Sequence, residues 1–81
     1  MPEEMRFKNK DLIETGHFKN ELYNIYGKNL DFVLEILEKG EHEKESKEKV
    51  RVEKKTKKGV WELVYVETDK EIVLIHLKLV R

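Results

Sequence analysis

The sequence predicts an α+β domain, with two N-terminal helices packed on one face of a three- to four-stranded antiparallel β-meander. Three observations carry this. Apolar residues before Gly40 recur at helical spacing, those after Val50 alternate with polar ones, and a charge run separates the two halves. Helices followed by strands, rather than alternating with them, argue for segregated layers.

A first helix is expected over 11–26. Asn9 and Asp11 are residue types that cap a helix start, and Phe18, Leu22, Ile25 and Tyr26 share one helical face. Gly16 weakens the first half by about 1 kcal/mol, so the regular helix is expected to begin near it. Gly27 is a stop signal. A second helix follows over 30–39, capped by Asn29 or Asp31, ended by Gly40, and apolar around most of its circumference. The stretch 41–49, EHEKESKEK, has no apolar residue and reads as a solvated loop. Strands are expected over 50–55, 60–67 and 72–80. The first hairpin closes over Lys57–Gly59 and the second at Asp69-Lys70.

Those turns set a register. Val66 faces Val73 and Val64 faces Ile75, while Val52 faces Val64 and Val50 faces Val66. One sheet face then carries Val50, Val52, Val60, Val64, Val66, Val73, Ile75, Leu77 and Leu79, and the helices should cover it. The opposite face carries Arg51, Glu53, Lys55, Trp61, Leu63, Tyr65, Ile72, Leu74, His76 and Lys78.

Composition narrows the classes. Eighty-one residues allow one domain, spanning 1–81, with a single core that buries about 60% of the unfolded surface. The 17 Lys+Arg balance 17 Asp+Glu, so no net charge draws the chain to nucleic acid or membrane. The 42% of charged residues, with no Cys, Gln or Ala, follow the thermophile pattern of surface ion pairs and suggest a hot, archaeal-type source. Without cysteine there is no disulfide framework or thiolate metal site. No apolar run reaches the roughly 18 residues of a membrane span, and the polar opening MPEEMR has no signal-peptide core, so the cytoplasm is the expected location.

Two functions fit the mixed face. Trp61, Leu63, Tyr65, Ile72 and Leu74 would form an apolar patch suited to a homodimer or a protein partner. Alternatively, Trp61 and Tyr65 would stack on bases while Arg51, Lys55 and Lys78 hold phosphates. Metal-free RNA cleavage would then use His76 as acid or base, Arg51 and Lys78 as phosphate clamps, and Tyr65 to orient or donate. His17 reads as a helix-surface residue and His42 as a solvated one. His17, His42 and His76 show no metal-ligand spacing, and there is no Gly-rich phosphate loop or nucleophile elbow, so no metal or cofactor is expected.

The run GHFKNELYNIYGKNLDFVLEILEKGE, with His17, Gly27, Leu37 and Gly40, and the closing WELVYVETDKEIVLIHLKLV resemble a group of small prokaryotic proteins similar to the BrnT and RelE toxins. The resemblance implies a RelE-like fold and an endoribonuclease toxin paired with an acidic antitoxin. It implies site residues on the open sheet face and near the C-terminus, the side of Arg51, Tyr65, His76 and Lys78. The chain departs from that group in being neutral, and in having Lys19, Glu21 and Tyr23 where an Arg-rich stretch is usual.

Overall fold

The computed structural model describes residues 6–81; the polar Met1–Met5 opening lies outside the described residues. Two short strands come first, β1 (Arg6–Phe7) and β2 (Lys10–Glu14). Helix α1 (Gly16–Lys19) runs directly into a π-helix (Asn20–Ile25), and α2 (Leu30–Lys39) follows. Strands β3 (Glu41–Lys44), β4 (Lys49–Thr56), β5 (Gly59–Glu67) and β6 (Glu71–Val80) complete the chain. All six strands form one sheet in the order β1-β2-β6-β5-β4-β3, with β2 parallel to β6 and the other pairs antiparallel.

The α+β class holds, but the helices are inserted between β2 and β3, and the sheet is mixed rather than a pure meander. Residues 11–14, expected as the start of the 11–26 helix, instead pair with β6 from Asp11↔Glu71 to Glu14↔Leu74. The helix begins at Gly16 because Thr15 caps it. Its Oγ1 accepts from Phe18 N at 3.2 Å and donates to Leu74 O at 3.0 Å, tying the helix start to β6 where β2 ends. Helix α2 matches its expected bounds, and the Asn29 side chain accepts from Phe32 N at 3.2 Å. Ten residues make a marginal helix alone. Burial of Val33, Ile36 and Leu37, at about 1.5–3 kcal/mol each, holds it. Gly40 is required next, since a Cβ there would lie 2.6 Å from Val52 Cγ1 and 2.7 Å from Ile36 O.

The 41–49 loop is in part a strand. β3 is exposed throughout and pairs along β4, which gives the charged side chains partners and leaves no apolar face to hide. Its His42 is not simply solvated. The imidazole lies 2.9 Å from Tyr65 Oη and 2.7 Å from Leu37 O, a carbonyl in the last turn of α2. With Nε2–H donating to the carbonyl, Nδ1 accepts from the phenol. Burial pushes the Tyr65 phenol up to about 12, with the Glu67 carboxylate adding to the effect, so Tyr65 stays a donor.

On β5 and the first half of β6 the faces are exchanged relative to the sequence register, whereas Val50, Val52 and Leu77 are covered as expected. The core is Val50, Val52, Trp61, Leu63, Tyr65, Ile72, Leu74 and Leu77 with Phe18, Leu22 and the α2 residues. Two one-residue displacements cause this. The first hairpin closes on Thr56↔Gly59 around Lys57-Lys58, so Val52 meets Leu63 and Val50 meets Tyr65. In β6 the pairing passes from Val64↔His76 to Tyr65↔Leu74, leaving Ile75 as an extra residue. That bulge puts Leu74 and Leu77, three apart, on the same buried face. Val64, Val66, Val73 and Ile75 lie half-buried instead of under the helices. The sheet curls until Phe7 on β1 stacks against His42 on β3, ring centroids 6.0 Å apart, although these strands stand at opposite ends of the strand order.

Replacing His42 with alanine strands the buried Tyr65 hydroxyl and the Leu37 carbonyl. We expect a loss of about 1–3 kcal/mol in denaturant unfolding, and an unchanged midpoint would discard the linking role. At the other rim Lys10 Nζ lies 2.7 Å from Glu67 Oε2. This hydrogen bond holds the Glu67 carboxyl below its ordinary 4.5 against an opposing push from burial, with Lys8, Lys10 and Lys44 adding their charge. The stabilisation is present above the unfolded-state value and disappears as pH falls through the folded one. Between about pH 6 and about pH 3, Tm should therefore fall less steeply in Glu67→Gln than in the parent chain. Parallel Tm curves would show that Glu67 does not contribute.

Candidate functional site

Strand β2 leaves β6 at Leu74, so the rest of that β6 edge needs other partners for its N–H groups. The π-helix and its C-cap residue supply two. Glu21 Oε1 accepts from Leu77 N at 3.0 Å and Tyr26 Oη accepts from Leu79 N at 3.2 Å. Five residues apart in an α-helix, these side chains would diverge by about 140°. The wider π turn, with Tyr26 N bonded to Glu21 O at 3.0 Å, brings both to the strand.

Glu21 is 8% exposed. Besides Leu77, its Oε1 lies 3.0 Å from His76 Nδ1 and 3.3 Å from His17 Nε2. The two imidazoles stack with centroids 5.7 Å apart and planes 10° from parallel. His17 sits in the first turn of α1 and is largely exposed, while His76 is half-exposed beside the bulge. One buried carboxylate thus orients two accessible histidines. When each points its N–H at Glu21, His17 Nδ1 and His76 Nε2 keep free lone pairs for proton transfer. The three donor atoms lie within 4.8 Å of one another, a spacing that a single divalent cation could also bridge.

The constellation read from the sequence is not assembled. Tyr65 is 1% exposed in the core, on the opposite face from Arg51, and its hydroxyl is committed to His42. Arg51 lies on the outer face among three carboxylates, 3.1 Å from Glu43, 3.5 Å from Glu45 and 3.8 Å from Glu53, and so is already neutralised. Lys78 is exposed opposite Glu62, and Lys55 is exposed opposite Val60. Trp61 is 5% exposed and packs edge-to-face between Tyr26 and Phe32. The apolar patch expected to dimerise, with Trp61, Leu63, Tyr65, Ile72 and Leu74, is the core itself.

Of the proposed catalytic group only His76 stands in a cluster that can move protons, and its companions His17 and Glu21 were not foreseen. Spacing along a sequence reveals only ligands that are near neighbours, whereas Glu21 and Leu77 meet across 56 residues. A signal was present: His17 and Glu21 are four apart, the helical spacing for a paired face. Comparisons with protein-family models, curated proteins and solved structures find no match to this chain.

Glu21→Ala should speed hydrogen exchange at the Leu77 amide and cost about 1–3 kcal/mol, because a buried donor loses its acceptor. Glu21→Gln retains an acceptor oxygen and should keep most of that protection. Equal exchange at Leu77 in the alanine variant and the parent would remove Glu21 as the edge partner.

Proposed function

We propose that the chain is a metal-independent endoribonuclease of the toxin type, with His17, Glu21 and His76 as its proton-transfer centre. The observation that supports it is the pair of accessible imidazoles held side by side on one buried carboxylate. The resemblance to BrnT- and RelE-like toxins supplies the substrate class, and an acidic antitoxin-like protein is the partner it implies.

The chemistry needs a base and an acid a short distance apart. The neutral imidazole takes the proton from an RNA 2′-hydroxyl. The 2′-oxygen then bonds to the adjacent phosphorus, and the bond from phosphorus to the 5′-oxygen of the next nucleotide breaks. The protonated imidazole gives its proton to that oxygen. The products are a 2′,3′-cyclic phosphate and a 5′-hydroxyl, with one proton gained and one lost by the enzyme. Glu21 fixes the ring tautomers and balances the single positive charge. The earlier roles for Arg51 and Tyr65 are not retained, since one is caged by carboxylates and the other is buried.

A second reading has its own observation. The outer face carries Ile13, Val64, Val66 and Val73 in register on neighbouring strands, an apolar strip on the side away from the helices. A homodimer through this strip would make the chain an interaction protein. Solution mass separates the two readings: a dimer that Val64→Glu converts to monomer supports it, and a monomer at high concentration rejects it.

For the nuclease, a mixed RNA pool should be cut in the presence of a chelator, leaving cyclic phosphate ends. His17→Ala and His76→Ala should each slow cleavage by about 10²–10⁴-fold. Loss of activity on chelation would transfer the cluster to ion-assisted hydrolysis. No cleavage by the parent chain, or cleavage untouched by both substitutions, would end the proposal.

A further inference from the structure

Among the described residues, two grooves beside the sheet are distinguished by their charge. The one at the Lys10 rim, about 430 Å³, is lined by Lys10, Lys44 and Lys47 but also by Glu48, Glu67 and Asp69. Its charges cancel, and Lys10 is tied to Glu67. The other, about 440 Å³, lies between the end of the π-helix, α2 and the Lys57-Lys58 turn. Every charged residue lining it is a cation: Lys28, Lys57, Lys58 and Arg81. In a chain with equal numbers of acids and bases, this is local segregation of charge.

The same groove has an aromatic wall. Trp61 meets Tyr26 at 5.0 Å and Phe32 at 4.8 Å, both edge-to-face, and Lys28 Nζ stands 5.1 Å over the Phe32 ring. Packing of the core edge accounts for the buried body of Trp61, but not for a cation-only rim above it. Aromatic surface beside cations that have no carboxylate partner among the described residues is the arrangement that holds unpaired bases and their phosphates.

Its position is also informative. Tyr26 Oη bonds Leu79 N, two residues along β6 from the Glu21 contact at Leu77. At the rise of an extended strand this is about 6–7 Å. The groove therefore continues the helix–strand seam on which His17 and His76 sit.

We propose that this groove binds the unpaired RNA segment flanking the scissile phosphate. A base rests against the half-buried rings of Tyr26 and Phe32, which Trp61 backs from the core, and Lys28, Lys57, Lys58 and Arg81 hold the adjoining phosphates. The choice of RNA rests on the nuclease reading, but binding and cleavage are measured separately. Trp61 is the sole tryptophan, so its emission reports on this groove.

The probe is 2′-O-methyl decauridylate, which lacks the attacking hydroxyl. Titration into the full chain should change Trp61 emission saturably. Lys57→Glu combined with Lys58→Glu, both in an exposed turn, should weaken binding about tenfold or more and flatten its salt dependence. Lys47→Glu, an exposed change in the other groove, should bind as the parent does. Binding without cleavage of ordinary RNA would overturn the nuclease reading and leave the groove standing. Cleavage with unchanged KM in the charge-reversed variant, or bound RNA with unaltered Trp61 emission, would overturn the groove.

Discussion

A carboxylate in a nearly closed site organises this molecule. Burying an ionised glutamate is unfavourable unless its oxygens find donors. Glu21 finds the Leu77 amide and two imidazoles through one oxygen. The amide contact docks the π-helix against the stretch of β6 that β2 leaves bare, and Tyr26 repeats it two residues on. The histidine contacts convert the same docking point into a surface that can handle protons. Structure and proposed chemistry thus share one atom, which explains why a regular α-helix gives way to a π-helix here.

How much of this could be read from the sequence depended on distance along the chain. Helix α2 was legible from Asn29 to Gly40 because its cap, apolar face and stop are all local. The three long strands were legible from their alternation. The faces were not, because alternation fixes only which residues go together and leaves open which set is covered. A two-residue turn at Lys57-Lys58 instead of three, and the extra Ile75 in β6, were enough to exchange them. Leu12 and Ile13 read as helix because their partner strand lies some sixty positions away. His17 and His76 read as unrelated for the same reason, although His76 itself was singled out.

Electrostatics here is a matter of placement. The outer end of β4 concentrates acids around Arg51, and the Lys10 rim pairs its lysines with carboxylates. Among the described residues, the groove beside Trp61 collects cations with no acid in its lining. Counted over the whole sequence these regions cancel, so a neutral total was compatible with a strongly basic recess. Net charge limits long-range steering but does not describe what a ligand meets on contact.

The parallel pairing of β2 with β6 has a kinetic side. Each hairpin of β4, β5 and β6 closes a short loop, whereas joining Asp11 to Glu71 closes one that contains α1, the π-helix, α2 and the strands β3, β4 and β5. Loop-closure entropy makes this the costliest contact to form, and topologies rich in such contacts fold slowly. Thr15 and the start of α1 are anchored where that pairing ends. A nascent or partly opened chain can therefore hold its hairpins intact while His17 remains far from His76, so the imidazole pair is an indicator of complete folding.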